Sequence, residues 1–413
     1  MYGLASLTAL RTAWRARSAG GGPAVGRTVV LLGVCSLLTD ISSEMVATVL
    51  PLYLVTQLGF SPLQFGVVDG LYQGASALVR LAAGFTGDRL GRHKAVAATG
   101  YGLSAAGKLA LATMSNGFAT LSAIVAADRI GKGIRTAPRD AMISLSAPPE
   151  RLGLAFGVHR AMDSAGAMLG PLVAFALLAA APGAFRTVFL VSFCVALLGL
   201  AVLTMLVDEP PTSKPAVKPP DLRAAAGLLT ERPFRVLVIA AAGLGLGTIS
   251  DAFVFLLIFD RADVSVTVFP LLATGTAATY MLLAIPAGRM ADRHGRIAVF
   301  LGGYVALLGV YGLLLTPMTG AIATAATIAL LGAYYAGTSG ALAALGSDQI
   351  PRELRGSGLA LLGTATSSAQ LAASITFGAL WTWTGTDWAV TVFGMLLTAA
   401  LVASALSLRS TRV

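Results

Sequence analysis

Two carboxylic acids, Asp40 and Glu44, stand one helical turn apart inside an otherwise apolar run over residues 28–57. Their i,i+4 spacing places both on one face of a helix, about 18 Å and about 24 Å from its start at Thr28. An ionisable side chain inside a bilayer costs about 3 kcal/mol by insertion scales, so such a pair asks for a function or a partner. Neighbouring carboxyls partly removed from water hinder each other's ionisation and can together load and release a proton. The alternative is that they pair with cations and hold the fold. Those cations come from Asp128-Arg129-Ile130-Gly131-Lys132 and from Arg135 and Arg139 farther along. Arg129 lies about 17 Å from a helix start at Phe118, a depth that makes it the expected buried partner of Asp40 or Glu44. Lys132, Arg135 and Arg139 extend it into a basic stripe that could draw in an anion, or could pair with Asp140 and Glu150. His159, Arg160 and Asp163 form a third group, in which either His159 or Arg160 can engage Asp163 and an imidazole so held could assist proton traffic. Asp251 is the main interior charge of the second half of the chain.

These residues have to be positioned by helices in lipid. Charged residues make up 12% of the 413, against about 25% in soluble domains, and the mean hydropathy is +0.80. Apolar runs long enough to span a bilayer are expected at 28–57, 62–87, 94–114, 118–141, 152–180 and 184–207, and again at 236–259, 264–290, 297–316, 320–346, 356–382 and 387–408. The chain thus divides into a tail (1–27), a six-helix bundle (28–207), a Pro-rich linker (208–235), a second six-helix bundle (236–408) and a short tail (409–413).

The net charge of +10 does not point to nucleic acid, because the basic residues alternate by loop. Arg89, Arg92 and Lys94, then Arg151, the linker, Arg293 and Arg296, and Arg352 and Arg355 fall on one side, whereas the opposite loops carry only Arg186 and Arg261. The positive-inside rule then puts both termini and the linker in the cytoplasm, as in a multi-pass cell-membrane protein. Cys35 and Cys194 fall inside spans and read as small apolar groups, with no disulfide expected.

The chain repeats itself. Gly84, Gly87, Asp88, Arg89, Gly91 and Arg92 lie in a segment that recurs around Gly288, Asp292, Arg293, Gly295 and Arg296, and Ser43-Glu44 recurs as Ser250-Asp251, at offsets of 204 (Asp88 to Asp292) and 207 (Glu44 to Asp251). Two copies of one six-helix unit follow. The pattern Gly84-x-x-x-Asp88-Arg89-x-Gly91-Arg92-x-Lys94 resembles the loop signature of the major facilitator superfamily between its second and third helices. The resemblance runs over almost the whole chain and implies an all-α membrane protein of twelve transmembrane helices in two pseudo-symmetric bundles, with this loop acting as a cytoplasmic charge latch between them. Asp128 to Gly133 is similar to a second signature of the family, with Lys132 where the family usually has a neutral residue. Gly166-x-x-x-Gly170-Pro171 resembles the fifth-helix signature of its antiporters, although the glycine pair that often completes it is absent.

The residues also exclude chemistries. His93, His159 and His294 have no ligand partners at metal-site spacing, and neither a phosphate-binding Gly-rich loop with Lys and Ser/Thr nor a nucleophile elbow is present. No cofactor, metal or enzymatic reaction is expected. The expectation is a secondary transporter, functional as a monomer, that exports a small organic compound in exchange for protons. Uptake of an organic anion, and a receptor without transport on the same scaffold, remain alternatives. Tyr53, Tyr72, Phe253, Phe255, Tyr334, Tyr335, Trp381 and Trp383 are candidates for either pocket or lipid, with Trp381, Trp383 and Trp388 expected in an interfacial belt.

Overall fold

A computed structural model describes residues 26–90, 92–113, 117–148, 151–209, 227–317, 320–351 and 354–410, and the side chains among these apart from 78, 80–90, 409 and 410. The first bundle contains α1 (Arg27–Leu52), α2 (Pro62–Leu90), α3 (His93–Thr113), α4 (Phe118–Leu145), α5 (Leu152–Ala180) and α6 (Phe185–Ala201). Single π-helical turns prolong α1 through Gln57 and α6 through Leu206. The second contains α7 (Arg232–Leu246), α8 (Asp251–Arg261), α9 (Pro270–His294), α10 (Arg296–Leu314), α11 (Gly320–Gln349), α12 (Arg355–Thr384) and α13 (Thr386–Ser410). Much of the expected N-terminal tail and linker, and the last three residues, lie outside the described residues.

Packing repeats between the halves. In the first, α1 packs on α5 and α6, α3 on α4 and α6, and α2 on α4; in the second, α7 packs on α12 and α13, α10 on α11 and α13, and α9 on α11. The halves meet where α2 lies along α12 and α5 along α9. One contact shows why glycines sit where they do. A Cβ at Gly131 would lie 2.7 Å from the Gly100 carbonyl oxygen, and in the second half a Cβ at Gly337 would lie 3.0 Å from the Cα of Gly303. Such backbone approach replaces the hydrophobic drive that is missing between helices in lipid.

The seventh span is not one helix. Residues 247–250 break it, so the expected single helix over 236–259 becomes α7 and α8 with an earlier start at Arg232. The Tyr311 hydroxyl accepts from Ile249 N (2.7 Å) and donates to Gly247 O (2.9 Å), satisfying backbone groups that the break frees. A Cβ at Gly247 would lie 2.8 Å from Leu397 Cα, so the break also packs directly on α13. The eighth span begins at Pro270 rather than 264, because residues up to Phe269 form turns.

Among the described residues, eight segments are long and apolar enough to cross a membrane by length and composition alone. The charge-bearing α4 is not among them. Its ionic residues Asp128, Arg129 and Arg135 are buried against other helices rather than lipid. We call the end where α1 begins proximal and the end where it finishes distal.

Candidate functional site

The glycines of α5 explain how α1 presents its acids. A Cβ at Gly166 would lie 2.5 Å from the Leu37 carbonyl oxygen and 3.1 Å from Asp40 Cβ, and one at Gly170 would lie 2.6 Å from Glu44 Cβ. The Gly166-x-x-x-Gly170 stripe thus seats the turn of α1 that carries both carboxylates, with Pro171 buried beside it.

Asp40 and Glu44 do not share one site, contrary to the sequence expectation. Glu44 lines a cavity of about 200 Å³ between the halves with Asp69, Tyr72, Lys132, Asp251 and Phe255. Asp40 lines a second, more proximal cavity of about 360 Å³ with Lys132, Arg135, Arg139, Asp140, Arg160 and Asp163, closed on the other side by the proximal half of α12. Although i,i+4 residues share a face, that face is long enough to open on two chambers. Lys132 borders both and feels the charges of Asp40 and Glu44.

The expected pairing of Arg129 with Asp40 or Glu44 is also corrected. Arg129 bonds its neighbour Asp128, through Nε at 2.8 Å and through Nη2, and stacks its guanidinium 3.9 Å from the Tyr72 ring centre. Asp128 further accepts from Lys108 Nζ (3.0 Å) and Ser104 Oγ (2.5 Å) on α3. A carboxylate one residue away needs no precise meeting of two helices, which is why matching depths misidentified the partner. Arg135, one turn and a half onward, pairs with Asp40 at 3.7 Å. Arg139 bridges Asp140 (2.9 Å), Ser36 (3.0 Å) and Asp163 (3.8 Å).

Asp163 is held by Ser36 Oγ (2.8 Å) and faces Arg160 at 3.7 Å. His159 does not make the expected bond to it: the ring is buried, and neither nitrogen finds a hydrogen-bond partner among the described residues. Asp251, in the first turn of α8, accepts from the Tyr335 hydroxyl at 2.8 Å. Glu44 and Asp251, matched by the internal repeat, therefore border the same chamber.

Two buried ionic residues, Asp69 and Lys108, escaped sequence reading. Each is an ionisable residue within an apolar span, and the bilayer cost that singles out Asp40 applies to both. Asp69 accepts a short hydrogen bond from Ser374 of α12. Distal to it, Phe65, Phe253, Phe377 and Trp381 pack edge to face, with Phe253 4.7 Å from Phe65 and 4.8 Å from Phe377 between ring centres. Phe65 lines the chamber, and Phe253 packs on its far side. Trp381 belongs to this stack rather than to the interfacial belt, whereas Trp383 and Trp388 are exposed. Tyr53 packs on Phe185 and Phe189 of α6, and Tyr334 on Tyr304 and Tyr335; neither lines the chamber.

The loop signature divides differently. Side chains of Gly84, Gly87, Asp88, Arg89 and Gly91 lie outside the described residues, and Arg92 is exposed. In the second copy, Gly295 turns the chain at φ +93° and Arg296 pairs with Asp348 of its own half, while Asp292 and Arg293 lie in the last turn of α9.

The profile of the Major Facilitator Superfamily matches residues 32–262, over half of the chain. The chain belongs to this superfamily. An uncharacterized MFS-type transporter of Methanocaldococcus jannaschii is 31% identical over 86% of this chain and 89% of its own length. An uncharacterized protein of Mycobacterium tuberculosis is 33% identical over 38% of each chain. Among solved structures, the nucleoside transporter NupG superposes with a TM-score of 0.80 at 14% identity, covering 92% of this chain and all of its own. The peptide transporter POT gives 0.76 at 16% identity over 93% and 94% of the two chains. This superfamily member is accordingly a multi-pass membrane transporter with the twelve-span fold.

Proposed function

We propose that the protein is a proton-coupled antiporter that exports a small organic compound from the cytoplasm by alternating access, the proximal end being cytoplasmic. The observation that carries this reading is the chamber between the halves into which Glu44, Asp69 and Asp251 all open, linked by Lys132 to a second chamber holding Asp40 and Asp163. Carboxylates from both halves around one space can take a proton or hold a substrate, and rocking of the halves about that space exposes it to either side. The glycine stripe of α5, which seats Asp40 and Glu44, supports antiport through its likeness to the antiporter signature. Relatives in fold whose names record nucleosides and peptides are consistent with a small organic cargo.

A second reading, uptake of an organic anion, draws on Arg135. It lines the proximal chamber and its Nη1 lacks a hydrogen-bond partner among the described residues. Purified protein in liposomes with a trapped pH dye separates the two. Substrate added to one side is expected to drive protons to that side under antiport, so the opposite sign supports uptake with protons, and substrate movement without any dye response overturns proton coupling.

A further inference from the structure

Three helices meet at Asp69, and each brings two residues to the same place. From α2 come Asp69 and, one turn distal, Phe65. From the break before α8 come Ser250 and, three residues on, Phe253. From α12 come Ser374 and, three residues on, Phe377. One of the polar residues bonds the carboxylate directly, Ser374 donating to Asp69 Oδ2, while Ser250 and Gln73 stand close beside it. The three rings form one stack, whose Phe65 lines the chamber. Asp69 is 6% exposed, Ser374 1%, and Phe253 and Phe377 fully buried.

We propose that Asp69 is a proton-binding site that locks the distal gate. While the carboxylate is ionised it accepts from Ser374 of the other half, and such a charge-assisted bond ties α12 to α2 and keeps the rings together. A proton on Asp69 turns one acceptor oxygen into a donor and removes the charge, so the bond from Ser374 weakens and the aromatic stack can part. This inference rests on the antiport reading and deepens it: if the empty, ionised carrier stays locked and either a proton on Asp69 or bound substrate releases the lock, exchange becomes obligatory.

The surroundings of Asp69 are set to transmit a proton rather than to neutralise it permanently. Glu44 of α1 and Asp251 of α8 share its chamber, as do Tyr72 of α2 and Lys132 of α4. Tyr335 of α11 holds Asp251, and the guanidinium of Arg129 over Tyr72 is already engaged by Asp128. Among the described residues no cation forms an ion pair with Asp69, and its hydrogen bonds come from neutral side chains. Lys132 borders both its chamber and the proximal one, whereas the rings lie distal to it.

Spin labels at Gln57 and Thr384, both exposed at the distal end, read the gate by pulsed dipolar spectroscopy in nanodiscs, after Cys35→Ala and Cys194→Ala. Lowering the pH from about 8 to about 5 is expected to add a longer-distance population in the otherwise unaltered protein. Asp69→Asn is expected to raise that population about tenfold at the higher pH and to abolish its pH response. Ser374→Ala, which keeps the charge and removes one donor, is expected to raise it less and to keep the pH response. Unchanged distances and pH response in Asp69→Asn overturn the proposal, as does a response to sodium at fixed pH in place of the response to protons. Should Asp69→Asn fail to fold, unchanged distances in Ser374→Ala overturn it instead. A normal dye response in liposomes with an unmoved gate in these variants refutes the role of Asp69 alone; a missing dye response in the unmodified protein refutes antiport.

Discussion

Gly170 of α5 lies directly against Glu44 of α1, so close that a Cβ there would stand 2.6 Å from Glu44 Cβ and 2.8 Å from the Ile41 carbonyl oxygen. The glycine therefore fixes where a chamber carboxylate sits. Gly170→Ala is expected to push α1 away, at about 1–3 kcal/mol of overpacking, and to cut transport. Gly157→Ala on the same helix, where nothing lies within 4 Å, is expected to leave thermal stability and transport unchanged. Equal effects from the two would refute the close-contact role.

Asp128 is the single carboxylate between Lys108 and Arg129. Asp128→Asn leaves two buried cations without it and is expected to cost about 3–5 kcal/mol, seen as lost folded yield in detergent. Lys108→Met removes one cation and leaves a neutral pair, so it is expected to be milder. Size-exclusion and thermal-melt profiles of both variants check the order, which the reverse ranking would refute.

Because Glu44 and Asp40 open on different chambers, their neutral variants are expected to differ. Glu44→Gln should abolish proton-driven accumulation while substrate exchange persists. Asp40→Asn removes the nearest carboxylate to Arg135 and should lower stability before coupling. Pulse measurements of accumulation and counterflow in liposomes distinguish the two, and full accumulation in Glu44→Gln would exclude it as a coupling residue.

Tyr311→Phe is expected to destabilise the protein by about 1–3 kcal/mol, since it strands the buried Ile249 N–H at the break between α7 and α8. A melting temperature equal to that of the unmodified protein would mean that another group takes over the bond.

The fold was legible because lipid imposes coarse rules: span length, alternating basic loops and a repeat near 204 residues all survive in sequence. The site was legible only in part. Glycine spacing in α5 announces a close helix contact without naming Asp40 and Glu44 as what it touches. Depth along a helix suggests which charges are level, yet Arg129 takes the carboxylate beside it and leaves Asp40 to Arg135. Asp69 and Ser374 are 305 residues apart and carry no motif, and only their meeting across the halves gives either a meaning. The broken seventh span hides for a related reason, since Tyr311 on another helix supplies the bonds that permit it.

The α2 and α12 contact has a consequence for tempo. Gly66, Gly70 and Gly74 fall on one line of α2 against Ser374 and Leu371, where a Cβ at Gly66 would lie 2.5 Å from the Ser374 carbonyl oxygen. At these three positions α2 presents no side chain that must unthread as the helices part, and dispersion loses about a quarter to a half of its strength over a gap of about an ångström. The seam therefore behaves as a low-friction bearing. Switching frequency is then governed by the few polar and aromatic contacts along it, so a lubricated hinge line and a sparse set of latches together fix the rhythm of the transport cycle.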